Sequence, residues 1–176
     1  MTLDDKEPYR QTLIEAGNNG QSSGAHATAF TCFKAAIKLS DPEKEWDDDF
    51  YNATLNLYSN AAGLSWIVGQ TKETEELLEK LFKNTREPMD RIPAYHVQAK
   101  YYYAAQMHEK GRETLFQCLD ELGDERTRAD ISDEALERDS NLVEQLVNDI
   151  GENGILKLEA CEDTQLIAAI GVMVEL

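Results

Sequence analysis

A recurrence limits this chain's possible folds more than any other feature. A long helix mixing small and aromatic residues, a glycine-marked turn and a shorter leucine- and phenylalanine-rich helix occur twice in succession. The first copy reads FYNATLNLYSNAAGLSWIVG followed by TKETEELLEKLFKNT. The second reads AYHVQAKYYYAAQMHEK, a turn at Gly111, then RETLFQCLDEL. The turn glycines Gly69 and Gly111 lie 42 positions apart (69 to 111). Periods in this range mark antiparallel helix pairs that bury their apolar faces by stacking on their neighbours. Ala61, Ala62, Gly63, Ala104 and Ala105 let the two helices of a pair approach closely, and Tyr58, Trp66, Tyr95 and Tyr102 fill the remaining space. The expected fold class is all-α, built of stacked antiparallel helix pairs.

Four segments follow along the chain. Residues 1–24 are expected to be a flexible lead-in, because GNNGQSSG offers little side chain to bury and interrupts any helix. Residues 25–123 form the helical-repeat core. It opens with AHATAFTCFKAAIKLS, whose Phe30, Phe33, Ala36 and Ile37 recur at helical spacing and which Ser40-Asp41-Pro42 stops. Pro88 and Pro93 are expected to bracket a short connector inside this core. Residues 124–140 read as a charged connector, and 141–176 as C-terminal helices. The last of these, CEDTQLIAAIGVMVEL, is apolar on almost every side and needs partners on several sides. The chain is therefore expected to be cut short inside a packed element, as a piece of a longer protein.

Charge removes several function classes. The 176 residues carry 34 acids against 17 bases, a formal net charge of -17. Such a field repels phosphate backbones and anionic headgroups, so neither nucleic acid nor a membrane surface is an expected partner. No run approaches bilayer-spanning length, and the acidic opening MTLDDKEPYR is not a signal peptide. Cys32, Cys118 and Cys161 are too few and too scattered for a disulfide framework or a zinc site. The expected location is cytoplasmic.

No residue set announces chemistry, and no catalytic, cofactor-binding or metal residues are assigned. Asp47, Asp48 and Asp49 lack the spacing of a calcium loop, and are expected to cap the following helix at its electropositive end. His96 and His108, expected on one helix, would not share a face, and His26 lies far away in sequence. Cys118 sits beside the inner stripe of its helix, where packing is its expected job. The sequon at Asn52 falls mid-helix. The most unusual cluster is Tyr101-Tyr102-Tyr103. Three consecutive residues cover most of a helix's circumference, so at least one turns away from its own pair, either onto the next repeat or into a partner-binding surface. The acidic exterior reads either as a simply solvated surface or as a groove for basic peptide segments.

The stretch over residues 25–123 resembles the tetratricopeptide-like region of very large signalling proteins that join a kinase-like domain, a P-loop ATPase, helical repeats and a GAF/histidine-kinase output. The residues carrying the likeness are the small/aromatic helix AHATAFTCFKAAIKLS, Trp46, the Leu-Tyr-x-x-Ala-Ala core at Leu57–Ala62 and the closing Leu-Gly at Leu122-Gly123. The resemblance implies a tetratricopeptide-like α-solenoid segment. Its implied function is a non-catalytic scaffold for protein–protein or interdomain contacts in signal transduction, with a protein partner and no cofactor. The alternative is a fragment of a multidomain kinase or ATPase whose catalytic domains lie outside this chain. The chain has neither the glycine-rich Gly-Lys-Ser/Thr loop nor the His-Arg-Asp loop that such catalysis needs.

Overall fold

The computed structural model describes residues 3–123, 133–151, 154 and 157–175. Among these the secondary structure is wholly helical: α1 (Leu3–Ser22), α2 (His26–Leu39), α3 (Tyr51–Ile67), α4 (Thr71–Asn84), α5 (Pro88–Ala104), α6 (His108–Glu121), α7 (Asp133–Ile150) and α8 (Thr164–Met173). The chain divides into two compact units, residues 1–114 and 115–176.

The chain runs through three helix–turn–helix copies of matching register, α1–α2, α3–α4 and α5–α6, and α1 packs on α2 and α3 on α4. α3 and α5 each have 17 residues, α4 and α6 each 14. The last two hairpins are offset by 37 positions (51 to 88, 71 to 108). The first two are offset by 45 (26 to 71, 39 to 84). The difference of 8 is the extra length of the connector between α2 and α3, residues 40–50, over the connector between α4 and α5, residues 85–87. In each hairpin the same positions are buried: Gly17, Ala62 and Ala99 on the first helix, and Ala29, Thr74 and Gly111 on the second. One turn further on in the first two copies come Phe33 and Leu78.

All three hairpin turns close in the same way. Gly24, Gly69 and Gln106 hold φ of 78°, 74° and 58°. In each, the next amide reaches back five residues: Ala25 N–H to Gly20 O at 2.7 Å, Gln70 to Ser65 at 2.8 Å, Met107 to Tyr102 at 2.8 Å. This is the left-handed helix stop, in which orphan carbonyls of the last turn are satisfied. The third copy uses glutamine where glycine is the easier residue. The expected turn at Gly111 is thus displaced to Gln106, and Gly111 lies inside α6. A Cβ there would stand 2.5 Å from the Tyr103 ring, so close packing requires a glycine.

The N-terminal segment, expected to be flexible, is corrected for a similar reason. Residues 3–22 form a helix, and its glycines are contact points. A Cβ on Gly17 would meet the Phe33 ring at 2.5 Å, and one on Gly20 would meet the Ala29 Cβ at 3.2 Å. Glycine inside a helix costs about 1 kcal/mol, which burying Phe33 completely offsets at roughly 1.5–3 kcal/mol. Pro88 and Pro93 also fall inside α5. Pro88 is in its first turn, where a missing N–H is harmless, and Glu87 and Asp90 form a capping box around it.

Two apolar clusters hold α1 to α5. One joins Ala29, Phe30, Phe33 and Ala36 to Leu57, Ala61 and Leu64, with Leu13 and Ile14 of α1 packed on it. The other joins Tyr58 and Ala62 to Leu78, Leu81 and Ala94, with Trp46 and Phe82 against it. Buried Ser65 and Thr74 share a 2.8 Å hydrogen bond where α3 meets α4.

The aspartates of the long connector do not cap α3. Its N-cap is Phe50 and no side chain caps it. Asp48 pairs instead with Arg86, which donates to Trp46 O at 2.8 Å and lies over the Tyr51 ring at 4.3 Å. The Tyr51 hydroxyl donates to Asp90 at 2.5 Å and accepts from the Arg86 amide at 2.9 Å. The connector is therefore clasped to the α4–α5 turn.

In the second unit, Leu115, Cys118, Leu119 and Leu122 of α6 and its end are buried, as are Ala169 and Val172 of α8. The Gln165 side chain donates to Leu122 O. Asp163 caps α8, accepting from the amides of Gln165 and Leu166 at 3.0 Å each. Part of the expected 124–140 connector, from residue 133, belongs to α7, and its residues 124–132 lie outside the described residues. No helix among the described residues is long and apolar enough to cross a membrane.

Candidate functional site

The three consecutive tyrosines end α5, and helix geometry sends each to different neighbours at about 100° per residue. Tyr101 turns toward α3 and α4. Its ring meets Trp66 edge-on at 6.4 Å, and its hydroxyl donates to Glu75 Oε1 at 3.0 Å. That hydrogen bond to a carboxylate holds the Tyr101 phenol above its ordinary pKa. Tyr102 lies 5.5 Å from Tyr101, with the Lys110 ammonium 5.8 Å from its ring centre. Tyr103 folds against Gly111 and sits 6.1 Å from the His108 ring. The structure thus brings Tyr101 and Tyr102 together in one place and assigns Tyr103 to packing within its own hairpin.

Tyr101 and Tyr102 line a cleft of about 380 Å³ with Glu75, Leu78, Glu79 and Phe82 of α4, Gln98 of α5, and Met107 and Lys110. Glu75 and Glu79 are exposed and one helical turn apart, so both carboxylates face the same side of α4. Phe82 and Leu78 supply an apolar floor, and exposed Met107 an adaptable rim. Such a cleft offers two carboxylates and an aromatic face against one lysine. A lysine or arginine carried on an apolar segment fits it, through charge-assisted hydrogen bonds and a cation–π contact.

Two other clefts flank α3. One of about 180 Å³ runs between α2 and α4 over Tyr58, edged by Lys34, Glu73 and Lys80. Lys34 bridges to Glu73 at 2.9 Å and holds that carboxyl below its usual range. The other, of about 290 Å³, lies under the long connector beside the Arg10–Glu7 pair, with nearly buried Thr54 in its wall. Between them Tyr58 donates to both oxygens of buried Glu45 at 3.1 Å and accepts from Lys80 at 3.1 Å.

The remaining sequence candidates stay apart. His96 lies within α5, while His26 and His108 open α2 and α6, so His96 and His108 do not share a helix. Among the described residues no group of three histidines, cysteines or acids could hold a metal ion. Cys118 is 1% exposed, and burial together with Glu121 pushes its thiol up to about 12, far from a thiolate at neutral pH. The acids of the cleft were hidden in sequence, because Glu75 and Glu79 read only as the outward face of α4. Comparison of the chain with protein-family models, curated proteins and solved structures gives no match.

Proposed function

We propose that this chain is a non-catalytic, tetratricopeptide-like helical-repeat scaffold that binds a basic segment of a partner protein through the Tyr101–Tyr102 cleft. The cleft carries the reading: Glu75 and Glu79 stand beside two tyrosine rings and an apolar floor on rigid helices. The hairpins support the solenoid reading. They share turn closures and buried small positions, the stacking grammar of such repeats. The net charge of -17 supports a basic partner by raising its local concentration and its association rate. A cytoplasmic signalling context, with the chain set between an ATPase and its output domain, accords with the resemblance of residues 25–123.

The reading is tested by calorimetric titration of short unstructured peptides that alternate lysine with leucine, against glutamate–leucine counterparts. The lysine peptides bind, and Glu79→Lys together with Tyr102→Ala weakens them at least about tenfold, the scale of a lost charged anchor. Equal affinity for the two peptide classes, or an unaffected double variant, overturns it. Measurable ATP turnover by the chain would overturn the non-catalytic part.

A further inference from the structure

Helix α7, in the unit of residues 115–176, carries a bare aliphatic face outside the cleft. Leu142, Val143, Leu146, Val147 and Ile150 are 54%, 59%, 50%, 44% and 41% exposed. Their spacing of i, i+1, i+4, i+5 and i+8 puts them on one side of the helix, over about 140° of its circumference. Aligned aliphatics left in water mark a contact surface, whereas scattered ones need no explanation.

The charges around this stripe select its occupant. α7 reads DEALERDSNLVEQLVNDI, with six acids and one base. Asp139 falls within the stripe one turn before Val143, Asp149 borders one edge, and Glu144 lies beyond the other. Arg138 leans on Asp139 at 3.2 Å, an exposed pair that a partner's cation can replace at little cost. A second copy is disfavoured. Each copy carries -17, a parallel pairing sets Asp139 against Asp139, and an antiparallel one sets acidic flank against acidic flank. Anionic membrane surfaces are repelled for the same reason.

We propose that this face of α7 docks an amphipathic helix of a partner protein whose apolar stripe is flanked by lysines and arginines. The aliphatic residues supply the seam, and the acids around it set the partner's sign and register. The site is independent of the Tyr101–Tyr102 cleft.

The test uses the full chain and a fluorescent synthetic helix of 18 residues, the length of α7, with leucines at i, i+3, i+4 and i+7 and lysines elsewhere. Anisotropy should report binding that weakens as sodium chloride is raised to about 0.5 M. Leu146→Asp should weaken it at least about tenfold. That variant adds an acid, so attraction between net charges alone would tighten binding, and its loss reports the apolar seam. Leu146→Ala should give a smaller loss, and circular dichroism should show both variants as helical as the parent. Leu146→Asp should leave the affinity of the cleft for the unstructured lysine–leucine peptides unchanged, which separates failure here from failure of the cleft. The proposal is overturned if Leu146→Asp binds as the parent does, or if a leucine–glutamate helix binds equally well. A dimer that Leu146→Asp dissolves in sedimentation velocity, or anionic vesicles that capture the chain through the same residues, would equally overturn it.

Discussion

Tyr58 is 1% exposed, and its hydroxyl lies between the Glu45 carboxylate and the Lys80 ammonium. Burial, then the neighbouring Glu45 charge and hydrogen bond, raise its phenol well above the ordinary value. A raised pKa means that the folded state holds this proton more tightly than the unfolded chain. The contribution is therefore complete below about pH 10, the unfolded value, and is lost as pH rises toward the folded one. Tyr58→Phe removes the donor and leaves Glu45 buried with only Lys80, 4.0 Å away. At neutral pH the variant should lose roughly 1–3 kcal/mol. Above about pH 10 the gap between parent and variant should close, because phenylalanine has no proton to lose. Urea melts across that range measure it, and a gap that stays constant would separate Tyr58 from the alkaline loss of stability. Sequence periodicity placed Tyr58 between helices. Its carboxylate partner was not legible, since Glu45 reaches it from a connector with no periodic signal.

At the scale of elements, legibility depended on which residue performed each backbone task. α2, α3 and α4 could be read because their apolar stripes and their stops, Asp41-Pro42 and Gly69, obey local rules. α5 and α6 were misdivided because Gln106 takes the left-handed position and Gly111 serves packing. α1 was missed for the mirror-image reason: glycines that look like breakers are the points where Phe33 and Ala29 press against it. The tyrosine cluster was visible as unusual, but only the fold shows that Tyr101 and Tyr102 open onto α4 while Tyr103 does not. The equivalence of the turns at Gly69 and Gln106 leads to a paired prediction of opposite sign. Gln106→Gly should stabilise the chain by about 0.5–1 kcal/mol through relief of a strained φ, partly offset by greater freedom in the unfolded state. Gly69→Ala should destabilise it by about 1 kcal/mol. Both effects are read from denaturant midpoints, and shifts of the same sign would contradict the equivalence of the two turns.

Across the whole chain charge dominates. The ion pairs lie mostly on the surface, such as Lys72–Glu76 at 3.9 Å and Lys34–Glu73, where solvent screens them and each contributes little. Against them stands the self-repulsion of a net -17. Salt screens both, but the repulsion is spread over the whole excess of acids, while each surface pair has little to lose. Raising sodium chloride from about 0.02 M to about 0.5 M should therefore raise the melting temperature. A gain of 1–2 kcal/mol would correspond to several degrees at this chain length, at about 2–4 °C per kcal/mol. A basic peptide that neutralises the same field should give part of this gain at low salt and lose it at high salt. Melts with and without peptide at both ionic strengths separate the two contributions. A fall in melting temperature with salt would show that the ion pairs outweigh the repulsion, and would remove the electrostatic reason for expecting a basic partner.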